Sequence, residues 1–550
     1  MDRIRAFFSR RQDTVRSAAL VLMIMVFASR LLGLVRDRLL SARFSPEELG
    51  VYFAAFRLPN LVFELLVMGA LTAAFIPVFT KLLTQDKERE AQKLATVLIN
   101  LGLAIFLLLA IPMFIWAGLI SSWLAPGFNS KELAQMAAFT RFMFVFQVIP
   151  LLVGNFFTGI LQSYNLFLVP AIAPVVYNCG IILGILIFTP VLGLWAPVAG
   201  VGLGALLFML IQLPLLVSVG YRHRLLFNPR TTGVREVGKL MGPRTLGLAV
   251  SQIDTTVDLM LASLLGARMV TVFNFAQHLQ QLPVGLFGMT VAQAALPALS
   301  RESVKADLEQ FKKTIIRSLS QILFFVLPAS AMFIVLRIPL VRLVFGASRF
   351  DWQATVLTGM TLSAFSLSLF AQAIAQVLIR GFYALYDSKT PVVIGIISIL
   401  INTFLSIIFI RTFKLPVWSL GISTSVASIV NAGLLLYLLD RRVKGFSRPE
   451  LILPALKMLS AATLAAIAVY VPLKLFDQLV FDTTRTFGLI CLTGVSGGIG
   501  LATYFFLAWV LGVGEVQSFL TLLAKVRRPK AVILEPAGEV VNGGIESKLS

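Results

Sequence analysis

The stretch FASRLLGLVRDRLLSARF, residues 27–44, sets Arg30, Arg36, Asp37, Arg38 and Arg43 directly behind the apolar run SAALVLMIMV. An arginine at the middle of a hydrocarbon slab costs roughly 2.5–3.5 kcal/mol on insertion scales, and intramembrane charges usually serve function. A guanidinium is planar, and its fork of N–H groups matches two phosphate oxygens at once. Arg30 and Arg36 therefore suit an anion site in an aqueous cavity. The structural alternative is that Arg36 and Asp37 neutralise each other or reach the headgroups; Arg38 and Arg43 fit that alternative. Gly33 lies between the two candidate arginines and allows the helix to bend. Arg57, ahead of Pro59 and Asn60, fits substrate binding and snorkelling equally. Pro59 and Pro283 lie inside long apolar runs, where a proline makes a kink or a hinge for a conformational step.

A second constellation is acidic. Asp254 and Asp258 are four residues apart, which places them on one face of a helix. Asn402, Ser423 and Thr424 add oxygens from two further apolar runs. Hard cations take oxygen ligands, so this set suits Na⁺; a proton on Asp258 is the competing reading, and an ion pair of Asp254 with an arginine is the structural one. GVREVGKL at 233–240 nearly spells a phosphate-binding loop, but it ends in Leu where Ser or Thr must meet Mg²⁺, and no strand precedes it. The only histidines are His223 and His278, so no HExxH zinc site exists. His278 reads as a weak cation or a polar cavity residue. No cofactor is expected, and no ATPase module is present. Any driving energy must come from Na⁺ or H⁺ coupling, the membrane potential or the substrate's own gradient.

These groups need elements to hold them. The 550 residues are 58% hydrophobic and 13% charged, with mean hydropathy +0.89. Soluble domains are about 45–50% apolar and about 25% charged. Long continuous apolar runs, rather than short alternating ones, predict an all-α polytopic membrane protein. The runs give about fourteen spans. The net charge of +21 would in a soluble chain point to nucleic acid. Here Lys and Arg gather in KLLTQDKEREAQK, YRHRLLFNPRTTGVREVGK, SRESVKADLEQFKK, RGFYALYDSKTP and DRRVKGFSRPE, all after even-numbered spans. That is a topology signal, so no nucleic-acid partner is expected, and both termini are expected in the cytoplasm. The basic N-terminus lacks a small-residue cleavage site, which predicts an uncleaved first helix. Cys179 and Cys491 lie inside apolar runs, which argues against a disulfide framework.

RLPNLVFELLVMGALTAAFIPVFTKL (57–82) resembles QLPVGLFGMTVAQAALPALSRE (281–302), and QSYNLFLVP (162–170) resembles ALYDSKTP (384–391). A repeat of six spans is even, so the copies are parallel about an axis along the membrane normal, with a cavity at their interface. The expected organisation is a basic N-terminus over 1–16, an N-lobe over 17–219, a cytoplasmic linker over 220–235, a C-lobe over 236–440, two further helices over 453–512 and a flexible cytoplasmic tail over 525–550.

SRLLGLVRD, FRLPNLVFELLVMGALTAAFIPVF, LMGPRTLGLAVSQID, LPALSR and GFYALYDSKTPV, in this order, resemble the MurJ (MviN) family of lipid II flippases. The resemblance covers roughly residues 17–512. It implies two six-helix lobes, a central cavity, two C-terminal helices forming a lipid-facing groove, and alternating access in the bacterial cytoplasmic (inner) membrane. Its substrate would be lipid II, an undecaprenyl-diphosphate-linked disaccharide peptide, handled by a monomer within the phospholipid bilayer. Family arginines of the first helix match Arg30 and Arg36, with Ser29 and Asp37 beside them, and Arg57 matches a basic position of the second. Many members carry Arg in the second helix where this chain has Phe63-Glu64. Many also carry an acidic–Arg pair in the eighth, where this chain has Gln277-His278. The competing functions are flipping of another polyprenyl-diphosphate-linked glycan, drug/cation antiport, and a membrane glycosyltransferase. The short outer loops argue against the last, and the basic first helix favours an anionic substrate over a drug.

Overall fold

The structure, a computed structural model, describes residues 15–68, 74–480, 482, 485–517 and 519. The expected basic segment 1–16, apart from its last two residues, and the expected tail 525–550 lie outside them. The described residues are helical with no strand. Eleven helices are long and apolar enough to cross a membrane, and the bent pair Trp352–Ser366 and Leu369–Ala384 makes a twelfth span. Val15–Arg43 and Val234–Leu264, 29 and 31 residues long, complete the expected fourteen; both carry charge within their length. Lipid-facing positions such as Leu108, Val191, Phe404 and Phe506 are exposed apolar side chains. That is the arrangement required when the surrounding solvent is hydrocarbon and every backbone group must be satisfied inside a helix.

Six spans from Val15–Arg43 to Trp195–Ser218 form the first lobe, and six from Val234–Leu264 to Trp418–Arg442 form the second. Arg448–Leu479 and Thr486–Val510 pack on each other and on Leu308–Val335. The repeat is visible in the backbone. Asp86 and Ala306 turn the chain with positive φ at the ends of the second and eighth spans, and Asn165 and Tyr386 do so after the fourth and tenth. A π-helical segment at Glu64–Met68 answers one at Val284–Met289. The π-helix Phe144–Val148 answers the 44° bend between Ser366 and Leu369.

Helices overrun the apolar runs. The third span begins at Glu88 and the ninth at Leu308, capped by the Asp307 side chain, so much of the expected loop sequence is helix. Apolarity marks only the hydrocarbon thickness, whereas a helix continues until its backbone groups find a cap.

The lobes meet most closely at the end opposite the N-terminus. A methyl group on Gly50 would lie 1.9 Å from the Ala267 carbonyl oxygen. Thr271 Oγ1 donates to the Pro46 carbonyl at 2.6 Å. Arg268 bridges Glu47 at 2.6 Å and Asp351 at 2.7 Å.

Candidate functional site

Between the lobes lies a cavity of about 510 Å³ whose lining includes Arg36, Arg57, Asn60, Glu64, Tyr52, Tyr177 and His278. Arg36 sits about six turns into the first helix. Its Nε and Nη2 donate to Asp37 Oδ1 at 2.9 and 2.8 Å, and its Nη1 donates to Asn178 Oδ1 at 3.3 Å. Asn178 in turn donates to Ser29 Oγ at 3.2 Å. The second oxygen of Asp37 meets His278 Nδ1 of the eighth span at 3.0 Å. Asp37 is buried, while the Arg36 side chain keeps 22% of its surface exposed. The carboxylate is therefore a fixed anchor, and the guanidinium is the group a ligand can reach.

A second cluster ties the lobes together. Arg57 Nε donates to Thr256 Oγ1 at 2.9 Å, and its Nη2 donates to Gln252 Oε1 at 2.7 Å and, more closely, to the Gln252 carbonyl. Gln252 passes a further short bond to Glu64. Asn60 accepts from Gln147 at 3.4 Å. Arg57 is thus a lobe-to-lobe contact at the cavity wall, and Glu64 sits where the resemblance led one to look for an arginine.

Asp254 and Asp258 share a face, as their spacing predicted, and Asn402 and Thr424 from two further spans meet them there. Asn402 Nδ2 donates to Asp254 at 3.0 Å and to Asp258 at 3.2 Å, while its Oδ1 accepts from Thr424 and Ser406 at 3.5 and 3.4 Å. Asp254, Asp258 and Thr424 border a cavity of about 280 Å³ that shares Thr255, Gln277 and Gln281 with the central one. As it sits, the amide presents N–H to both carboxylates; turning it over would aim Oδ1 at the same point and complete an oxygen set. Among the described residues no group of three or more His, Cys, Asp or Glu is placed to hold a metal.

Arg30 does not line the central cavity. It is exposed, and a methyl group on Gly285 would lie 3.1 Å from its Nη2, so it lies along the seam between the first and eighth spans. Arg38 donates to the Arg342 and Leu343 carbonyls, and Arg43 is exposed at the helix end. Gly33 lies within an unbroken helix. Pro59 lies in a helix that restarts at Arg57, and Pro283 ends a helix at an α-to-π junction. Asn178 and Gln252 are not singled out by the sequence, and Glu64 only as the residue standing where many members of the resembled family carry Arg. The only signal was a polar residue inside an apolar run, as in VVYNCGIILG.

Two repeated six-span lobes around a basic, polar cavity define a membrane transporter rather than an enzyme. The family model for the lipid II flippase MurJ matches residues 48–487, and the chain belongs to that family. A probable lipid II flippase MurJ of Bdellovibrio bacteriovorus is 30% identical over 503 residues, covering 89% of this chain and 93% of the relative. The lipid II flippase MurJ of Burkholderia cenocepacia is 26% identical over 497 residues, covering 88% and 95%. Among solved structures, a lipid II flippase MurJ in an inward closed conformation matches with TM-score 0.73 and 25% identity over 89% of this chain and 98% of its own. An inward-facing MATE-family transporter of the MOP superfamily shares the fold at TM-score 0.65 and 14% identity, covering 78% and 98%.

Proposed function

We propose that the chain moves lipid II from the inner to the outer leaflet of the bacterial cytoplasmic membrane by alternating access, as a monomer with both termini in the cytoplasm. The observation that carries this reading is the Arg36–Asp37–His278 network facing a cavity between two lobes. A diphosphate entering that cavity meets the exposed part of the Arg36 guanidinium, while Asp37 stays engaged by Arg36 and His278. Charge is then conserved at the buried anchor while the guanidinium binds substrate. Arg57 and Asn60 complete the polar wall, and Arg30, with Ser29 one residue before it, lies on the route between the first and eighth spans.

The energy source is assigned to Asp254 and Asp258. Two carboxylates against one amide, one of them buried, call for a Na⁺ or a shared proton between them. They share the seventh span with Gln252 and Thr256, the partners of Arg57, so one helix connects the acidic cluster with the lobe-to-lobe contact. The test is expression of the chain in cells depleted of their own lipid II flippase. Growth should be restored and lipid II should not accumulate, and Arg36→Ala should fail at normal protein level. Continued accumulation of lipid II with the chain folded in the membrane would overturn the reading.

A further inference from the structure

Three arginines from distant parts of the chain converge on a pocket that the transport reading does not use. Arg38 comes from the end of the first span, Arg342 from the short helix Arg337–Phe345, and Arg485 from the connection before Thr486–Val510. Together with Trp352 and Thr486 they line a cavity of about 370 Å³. Arg38 lies near the end of the first span, and Arg342 and Arg485 follow the ninth and thirteenth, so all three share the face opposite the Lys/Arg-rich loops. Arg38 spends one nitrogen on two backbone carbonyls, Arg342 lies over the Trp352 ring at 5.7 Å, and Arg485 Nε pairs with Asp482 at 3.3 Å. A guanidinium has five N–H donors; Arg38 engages its carbonyls through Nη1 and Arg485 engages Asp482 through Nε, which leaves donors on both for an anion. Thr486 opens the last long helix, whose first turn adds N–H groups suited to an anion.

The pocket continues into a second cavity of about 310 Å³ that shares Arg342, Trp352 and Leu489 with it. Tyr470, Leu473 and Leu492 line its apolar part, with Lys474 and Asp477 at its edge. Neither cavity shares a lining residue with the central one. Tyr470 and Trp352, which line the cavities, stand exposed, as aromatic residues do at a membrane–water interface.

We propose that this paired cavity is a binding site for an anionic glycerophospholipid of the outer leaflet. Its phosphate lies among Arg38, Arg342 and Arg485, and one acyl chain enters the slot beside Leu473 and Leu492. The two parts match the two halves of such a lipid, the charge of the arginines complements the phosphate, and access is from the bilayer rather than from the transport cavity. The ligand is a resident lipid that holds the first span, the Arg337–Phe345 helix and the last helix pair together.

The test uses delipidated full-length protein in detergent, with bound lipid counted by native mass spectrometry. Phosphatidylglycerol should be retained in preference to phosphatidylcholine. Arg485→Gln changes an exposed side chain, and should weaken retention roughly ten-fold, the effect of one lost charge-assisted hydrogen bond, with the melting temperature of the lipid-free protein unchanged. Arg342→Gln should act in the same direction. Undecaprenyl diphosphate should bind without displacing the phospholipid. Equal retention of both phospholipids, indifference to Arg485→Gln, displacement by inorganic phosphate at equal concentration, or displacement by undecaprenyl diphosphate would each overturn the assignment.

Discussion

At the residue scale, Arg36 is the group on which transport should depend most sharply. Losing a charge-assisted bond to a charged group costs about 1.5–3 kcal/mol, roughly ten- to a hundred-fold in binding. Arg36→Ala should lose that much affinity for a polyprenyl diphosphate, measured by titration of purified protein. Arg36→Lys should recover part of it at most, since an ammonium cannot make the bidentate fork. Arg43→Ala should bind like wild type. In the acidic cluster, Asp258→Asn should change the dependence of flipping in proteoliposomes on a Na⁺ or pH gradient; unaltered dependence on both would make the carboxylates structural. Outside the membrane, Asp387 accepts the backbone N–H of Thr390, the Thr390 hydroxyl, the Lys389 N–H and Arg442. These contacts, the Thr390 N–H first among them, hold its carboxyl below the usual range. A depressed folded value means the contribution is full above the unfolded value of about 3.9 and is lost as pH falls through the folded one. Asp387→Asn should therefore lower the thermal midpoint at neutral pH, by an amount comparable to a lost helix cap, about 1 kcal/mol. It should also flatten the fall in midpoint on acidification. An unchanged acid slope would remove Asp387 from that account.

At the scale of elements, the close approach of Pro46–Ala55 to Ala267–Pro283 is the contact that must open if the cavity is to face the other side. Gly50 permits it, because any larger residue would collide with the Ala267 backbone. Gly50→Leu should hold these helices apart. A cysteine replacing Asn274, which lines the cavity, should then label several-fold faster with an impermeant thiol reagent added outside, while flipping falls. Labelling at the wild-type rate would show that the seam is not the outer gate. The sequence made the span number, the repeat and the Asp254–Asp258–Asn402–Thr424 grouping legible, because each rests on periodicity or on polar residues inside apolar runs. It did not make the π-helical segments or the left-handed turns at Asp86, Ala306 and Tyr386 legible. Those follow from how neighbouring helices pack, and none falls on the glycine that marks such a backbone. The position of Arg30 beside Gly285 was not legible for a related reason. Six residues along a helix leave two side chains about 120° apart, so Arg30 and Arg36 point in different directions, and only the packed eighth span shows which of them looks into the cavity. The Arg57–Gln252–Glu64 contact was illegible because it joins the two lobes, whose relative register no local pattern encodes.

At the scale of the whole molecule, fourteen crossings and the distribution of charge fix two independent features that can be set against each other. Parity alone puts the connection between the third and fourth spans, at Lys131, on the opposite face from the connection after the sixth span, at Arg230. The Lys/Arg bias then chooses which face is cytoplasmic, and it assigns Arg230, Lys81 and Arg442 to the inside. The native cysteines, Cys179 and Cys491, are free and partly buried, so both are replaced by alanine before K131C or R230C is introduced singly. Lys131 and Arg230 are each exposed, so accessibility to reagent reports sidedness rather than burial. In intact cells an impermeant maleimide should label K131C and spare R230C; after permeabilisation both should react. Labelling of R230C alone would keep the parity but invert the orientation, removing the outer leaflet from the phospholipid site and reversing the direction of transport. Labelling of both positions from outside would mean an odd number of crossings between them fails, and the arrangement of two parallel six-span lobes would fall with it.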